Sequence, residues 1–150
     1  MKLTENIIMS INDSVLCWLA TSSLDNIPNV SPKEIFSFYE EDIIIVANIA
    51  SPQTVKNISE NKQVCISFID VLKQKGFQLR GEAEIIAESS SEFSSMEKVL
   101  LSLTKGKFPF ATITKITITS SKPILAPKYL LYPITTEQEQ IESAKKSYGF

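Results

Sequence analysis

Residues 43–61 read IIIVANIASPQTVKNISEN. Ile43 to Ala47 is an unbroken apolar run dense in β-branched side chains, as expected of a strand buried on both faces. The run breaks at Asn48, and Ser51-Pro52 follows as a helix start. A serine at that point can accept a bond from the first free backbone donors, and proline fits the first helical position because no N–H is needed there. The stretch therefore predicts a buried strand, a short polar loop and a helix over about 52–60, whose N-terminus is ringed by Asn48, Ser51, Gln53 and Thr54. Free N–H groups, small hydroxyls and the positive end of the helix dipole favour an anion, most often a phosphate. A plain cap with no ligand gives the same local pattern, so the rest of the chain has to decide.

Composition narrows the options. A chain of 150 residues with 43% hydrophobic and 21% charged residues is expected to form a single domain, 1–150, with a real core. Net charge is −2, and Arg80 is the only arginine among 15 basic residues, which argues against nucleic acid as a partner. No apolar run approaches the roughly 20 residues of a membrane span, and the opening MKLTENIIMS has no signal-peptide core. Cys17 and Cys65 sit in apolar, strand-like runs and read as buried thiols of a cytoplasmic protein. The chain has no histidine, which removes the common Ser-His and Cys-His pairs and the commonest zinc ligand. No metal site is expected, and catalysis falls to other side chains or to a bound cofactor.

The remaining segments supply the frame. Leu3, Ile7, Ile8 and Ile11 have helical spacing. Residues 14–22 read as a strand apolar on both sides, with Trp18 in the core or at a subunit interface, and Leu24 to Pro28 as a hairpin turn. Asn29 to Tyr39 reads as one strand interrupted by Ser31-Pro32-Lys33-Glu34, so it is expected to be an edge or to carry a bulge. Gln63 to Asp70 is a further strand, and 71–76 a basic loop. Phe77 to Ile86 alternates cleanly, with Phe77, Leu79, Ala83 and Ile85 inward and Gly81 marking a bend. Ser89 to Thr104 predicts a helix with a Ser89/Glu92 capping box and a stripe of Phe93, Met96, Leu100 and Leu103. Thr112 to Thr119 reads as a strand, Pro123 to Tyr132 as extended chain, and Thr136 to Ser147 as a last helix. The sum is a mainly β, α+β fold: a six-stranded, mostly antiparallel split β-barrel with peripheral helices.

Taken in order, WLATSSLDNIPNVSPKEIFSF, VANIASPQTVKNISENKQVCISF and QKGFQLRGEAEII resemble the pyridoxamine 5′-phosphate oxidase-like family of FMN-binding split barrels. The resemblance implies a homodimer with FMN at the subunit interface. By position it implies that Ser31, Pro32, Lys33 and Glu34 run along the flavin ring and ribityl chain. It puts Ala47, Asn48, Ser51, Gln53 and Thr54 around the phosphate, with Asn57 closing the helix turn behind them. Gln74, Lys75 and Gly76 match a loop that reaches the flavin in that family. Pro52, Gln53 and Thr54 stand where the oxidase subgroup carries basic residues, which leaves Lys33 or Lys56 to supply the charge. The C-terminal stretch lacks the arginine and histidine that bind vitamin B6 phosphate in true oxidases, which argues against that substrate.

The implied activity is that of an FMN-dependent oxidoreductase passing hydride or electrons between NAD(P)H and a small acceptor. The alternative from the same resemblance is a flavin binder or electron carrier without turnover of its own. No catalytic side chain is assigned by either.

Overall fold

The computed structural model describes residues Met1–Phe150. Seven strands form one sheet: β1 (Cys17–Ser22), β2 (Pro28–Lys33), β3 (Phe36–Phe38), β4 (Ile43–Ala47), β5 (Gln63–Asp70), β6 (Lys75–Ala87) and β7 (Thr112–Leu125). Their order is β2-β1-β5-β6-β7-β4-β3, and every pairing is antiparallel. The split barrel expected from sequence is present, with seven strands where six were expected.

The extra strand comes from the interrupted segment. Asn29 to Tyr39 is not one strand with a bulge but two, β2 and β3, placed at opposite ends of the sheet order. Only Glu34 and Ile35 join them. A flat sheet of seven strands would hold its edges about 29 Å apart. The link between β2 and β3 can reach about 11 Å at most. The sheet must therefore curl until its edges nearly meet, and Lys33 lies on the seam. The amide of Ala47 donates to the Ile35 carbonyl at 3.0 Å and holds β4 to the link.

β4 is buried at all its positions, as its unbroken apolar run requires. Ile44 and Val46 point into the barrel with Leu19, Ile66, Phe68 and Leu79. Ile43, Ile45 and Ala47 point the other way, onto Phe93, Met96 and Leu100 of helix α3 (Phe93–Thr104). Helix α1 (Glu5–Asp13) caps the barrel with Ile7 and Ile11. Helix α2 (Pro52–Glu60) follows β4 and packs on β1, β2 and β6. A register shift at Arg80/Gly81 bends β6, and a Cβ on Gly81 would meet the Thr117 carbonyl oxygen at 2.4 Å. The bend expected at Gly81 is there, made by close approach of the neighbouring strand.

Other expectations change. β1 is buried on one face only, and Trp18 is on its outer face, 48% exposed, not in the core. Cys17 points inward and is buried, whereas Cys65 is only half-buried, and both thiols are free. The Ser89/Glu92 capping box is not made: α3 starts at Phe93, Ser90 Oγ accepts from the Glu92 amide, and Glu92 Oε1 takes Lys115 instead. Leu103 is exposed, and Thr104 takes the buried place below Leu100. The extended stretch ends at Leu125, where α4 (Pro127–Leu131) begins with proline at its first position. Helix α5 (Glu137–Tyr148) forms as expected, with Thr136 Oγ1 accepting from the Glu139 amide. No helix is long and apolar enough to cross a membrane.

Candidate functional site

The barrel seam and the start of α2 meet at Lys33. Its position opposite Cys17, in the row that continues to Phe68, turns the side chain inward. Lys33 is only 7% exposed. The ammonium donates to Ser51 Oγ at 2.6 Å and to Thr54 Oγ1 at 3.2 Å. Ser31 and Thr54 share a further hydroxyl–hydroxyl bond of 3.3 Å. None of the ion pairs in the protein involves Lys33. Buried charges are ordinarily paired, so a lysine met only by hydroxyls is the unusual feature of this molecule.

Two titrating groups answer each other here. Burial holds Lys33 below the ordinary lysine value, with the nearby Cys17 opposing. Burial likewise pushes the Cys17 thiol up to about 12, and the Lys33 charge pulls the other way. Cys17 is therefore a neutral packing group rather than a nucleophile.

Ser51 stands at the N-cap of α2, yet its hydroxyl makes no capping bond. It accepts from Lys33 and donates to the Ile49 carbonyl at 2.9 Å. Pro52 has no N–H, and the amides of Gln53 and Thr54 find no acceptor within the chain. Ala50 turns the loop with φ of 50°, a left-handed value. The first turn of α2 carries no acidic residue. Free N–H groups and the helix dipole thus face the same point as the Lys33 ammonium, an arrangement that attracts an anion. Lys56, the other cation considered, is exposed on α2 and makes no bond to this cluster.

The other expected residues divide. Pro32, Glu34 and Ala47 line a cleft of about 240 Å³ beside Lys33, together with Ile35, Ile49 and Phe108. Asn48 is committed elsewhere: its Nδ2 donates to Thr112 Oγ1 at 3.1 Å, and its Oδ1 accepts from Thr114 at 2.8 Å. Gln53 donates to Asn57 Oδ1, and Asn57 Nδ2 donates to Thr21 Oγ1, a relay that ties α2 to β1.

Gln74, Lys75 and Gly76 are not brought to this cleft. Phe77, next to Gly76, shares a row with Lys33 but lies three strands away, and Lys75 and Gly76 line a separate cleft with Asp13, Asp70 and Glu137. Gln74 donates to the Tyr148 hydroxyl, and Lys75 pairs with Glu137 and lies 4.5 Å over the Tyr129 ring. Gly76 is glycine for packing: a Cβ there would meet the Phe68 carbonyl oxygen at 2.0 Å. Sequence reasoning missed Phe108, because the segment after Thr104 carries no periodic signal and reads only as the end of a helix.

Comparison with known proteins agrees with this architecture. The family model described as pyridoxamine 5′-phosphate oxidase matches residues 3–138. Uncharacterized protein MJ0282 of Methanocaldococcus jannaschii is 32% identical over 89 residues, and the match spans 58% of this chain and 58% of that protein. Among solved structures, HupZ of Group A Streptococcus is 22% identical with a TM-score of 0.67, covering 79% of this chain and 91% of that one. An FMN-binding protein from Syntrophomonas wolfei is 20% identical with a TM-score of 0.67, covering 81% of this chain and 86% of its own. These structural likenesses carry the fold, and the family match covers nearly the whole chain. The chain belongs to the pyridoxamine 5′-phosphate oxidase family.

Proposed function

We propose that the protein binds FMN, with the phosphate at Lys33, Ser31, Ser51 and Thr54 and the ring in the adjoining cleft, and acts as an FMN-dependent oxidoreductase. The observation that carries this reading is the buried Lys33 ammonium without a carboxylate, aimed at an uncapped helix start. A phosphate dianion supplies the charge that the site lacks and accepts from the free amides of Gln53 and Thr54. Ile35, Ala47 and Ile49 offer an apolar surface to a planar ring, and Glu34 is the one carboxylate at the edge of the cleft. Family membership and the FMN-binding protein from Syntrophomonas wolfei support the same ligand.

The bound flavin supplies hydride and electron transfer between NAD(P)H and a small acceptor. The chain's own residues hold the phosphate and set the orientation of the ring. One chain does not enclose the ligand. Its 240 Å³ cleft falls below the roughly 300 Å³ at which pockets begin to enclose small molecules. A homodimer answers this, because a second copy brings its own Gln74 and Lys75 and a wall the first copy lacks. Exposed Val15, Trp18 and Val71, which line one groove beside β1, favour such a partner.

The visible spectrum of the purified protein tests the proposal. Flavin absorbance, with FMN released on denaturation, is the expected result, and NADH or NADPH should then bleach it at a rate that saturates with nucleotide. Bound FMN that neither nucleotide reduces would leave a flavin carrier. A colourless protein that ignores added FMN would end both readings.

A further inference from the structure

We propose that Phe108 is the outer jaw of the ligand site, clamping the planar ring against Ile35, Ala47 and Ile49. This rests on the phosphate reading of the Lys33 cluster and extends it to a residue that lines the same cleft.

Local structure explains why an aromatic ends up there. Helix α3 stops at Lys105, which takes the left-handed conformation at φ 53°, and Gly106 follows at φ 74°. Consecutive left-handed residues reverse the chain within one turn. Thr104, buried beneath the helix end, braces the reversal: its Oγ1 accepts from the Gly106 amide and its carbonyl from the Lys107 amide, each at 3.1 Å. The loop then carries two phenylalanines with opposite fates. Phe110 turns inward, with its ring 6.4 Å from that of Phe93. Phe108, on the other side of Pro109, stays 51% exposed and lines the cleft beside Lys33.

An exposed phenylalanine held on a braced loop over an apolar floor has half its contact surface unused. Lys33 lines the cleft and also touches the start of α2, so it can hold the charged end of a ligand, and Phe108 lines the same cleft. A ligand with an anionic tail and a flat aromatic body satisfies both at once. Aromatic stacking favours offset or edge contacts and adds to simple burial. The clamp therefore acts on the ring and leaves the tail to Lys33.

The test separates ring from tail. FMN and inorganic phosphate are titrated against the full-length wild type, Phe108→Ala and Phe108→Trp, with far-UV circular dichroism to verify the fold. FMN binding is read by quenching of flavin fluorescence, and phosphate binding by competition with FMN. F108A should raise the FMN Kd roughly tenfold and leave the phosphate competition constant unchanged. F108W should keep or tighten FMN binding. An FMN Kd in F108A equal to wild type would overturn the clamp. Equal weakening of FMN and phosphate would overturn it too, since the loop would then act on the anion end. Failure of the wild type to bind FMN would sink the functional reading itself, and the clamp with it.

Discussion

Lys33 costs the free protein stability. An ammonium taken from water needs a counter-charge, and Ser51 and Thr54 offer only hydroxyl oxygens. Its folded value lies below the ordinary 10.5, so the unfolded chain binds more protons between that depressed value and 10.5. Stability of the ligand-free protein therefore rises with pH across this window, and below it the full penalty applies. Lys33→Met removes the charge at similar volume and leaves no orphan, because Ser51 still donates to Ile49 and Thr54 still pairs with Ser31. At neutral pH ligand-free K33M should unfold at higher temperature than wild type, by a stability gain on the order of 1 kcal/mol. The difference should shrink as the pH approaches 10.5. The same variant should lose FMN. A K33M protein that is less stable, or that binds FMN as the wild type does, would show that this lysine is structural. The residue was legible as a charge in the wrong place, inside an apolar strand pattern. Its partners were not, because they come from 18 and 21 residues away and only the curl of the sheet joins them.

At the scale of elements, α2 is a helix whose start has been left open. Serine before proline announced the helix correctly, but the hydroxyl is drawn to Lys33 rather than to the first-turn amides. Ser51→Asp should exploit that opening. A carboxylate there would pair with the ammonium, cap the helix and favour the dipole, so the ligand-free variant should gain on the order of 1 kcal/mol. It would also occupy the place of the phosphate, and FMN affinity should fall by roughly a hundredfold or more, from lost attraction and added repulsion. Differential scanning calorimetry and flavin titration on one sample measure both; retention of FMN by S51D would remove α2 from the site. The same logic of competing partners explains where element reading succeeded and failed. β4, the alternation of β6 and the stripe on α3 were legible because burial imprints a period on adjacent residues. The Ser89/Glu92 box failed because Glu92 has a stronger partner in Lys115, which sequence does not bring near. β2 and β3 read as one strand because a chain shows where a strand is interrupted but not which neighbour each half will join. α4 was missed because its single proline, Pro127, marks extended chain as readily as the first position of a five-residue helix.

On the scale of the whole molecule, curling the sheet leaves one face inside and one outside, and the outside is not uniformly wet. Trp18, whose inward neighbours Cys17 and Leu19 are fully buried, projects from β1 into an apolar groove with Val15, Phe68, Ile69, Val71 and Ile124. A monomer gains nothing from a half-exposed tryptophan over a groove of about 450 Å³, whereas a second copy can fill it. The same assembly would account for the separation of Lys75 from Lys33 within one chain, since each site would draw on both copies. Light scattering should then give twice the chain mass of 16.7 kDa. Trp18→Glu puts a charge at the centre of that face without touching the core, so the fold should hold to within about 0.5 kcal/mol. Loss of a buried tryptophan contact weakens an interface by on the order of 2 kcal/mol or more, roughly thirtyfold in Kd. W18E should therefore shift toward monomer as it is diluted, and its flavin should leave in parallel, although residue 18 belongs to neither the phosphate cluster nor the Phe108 cleft. If flavin stays fully bound while the mass falls to that of one chain, the site is complete within a protomer, and the groove serves assembly alone.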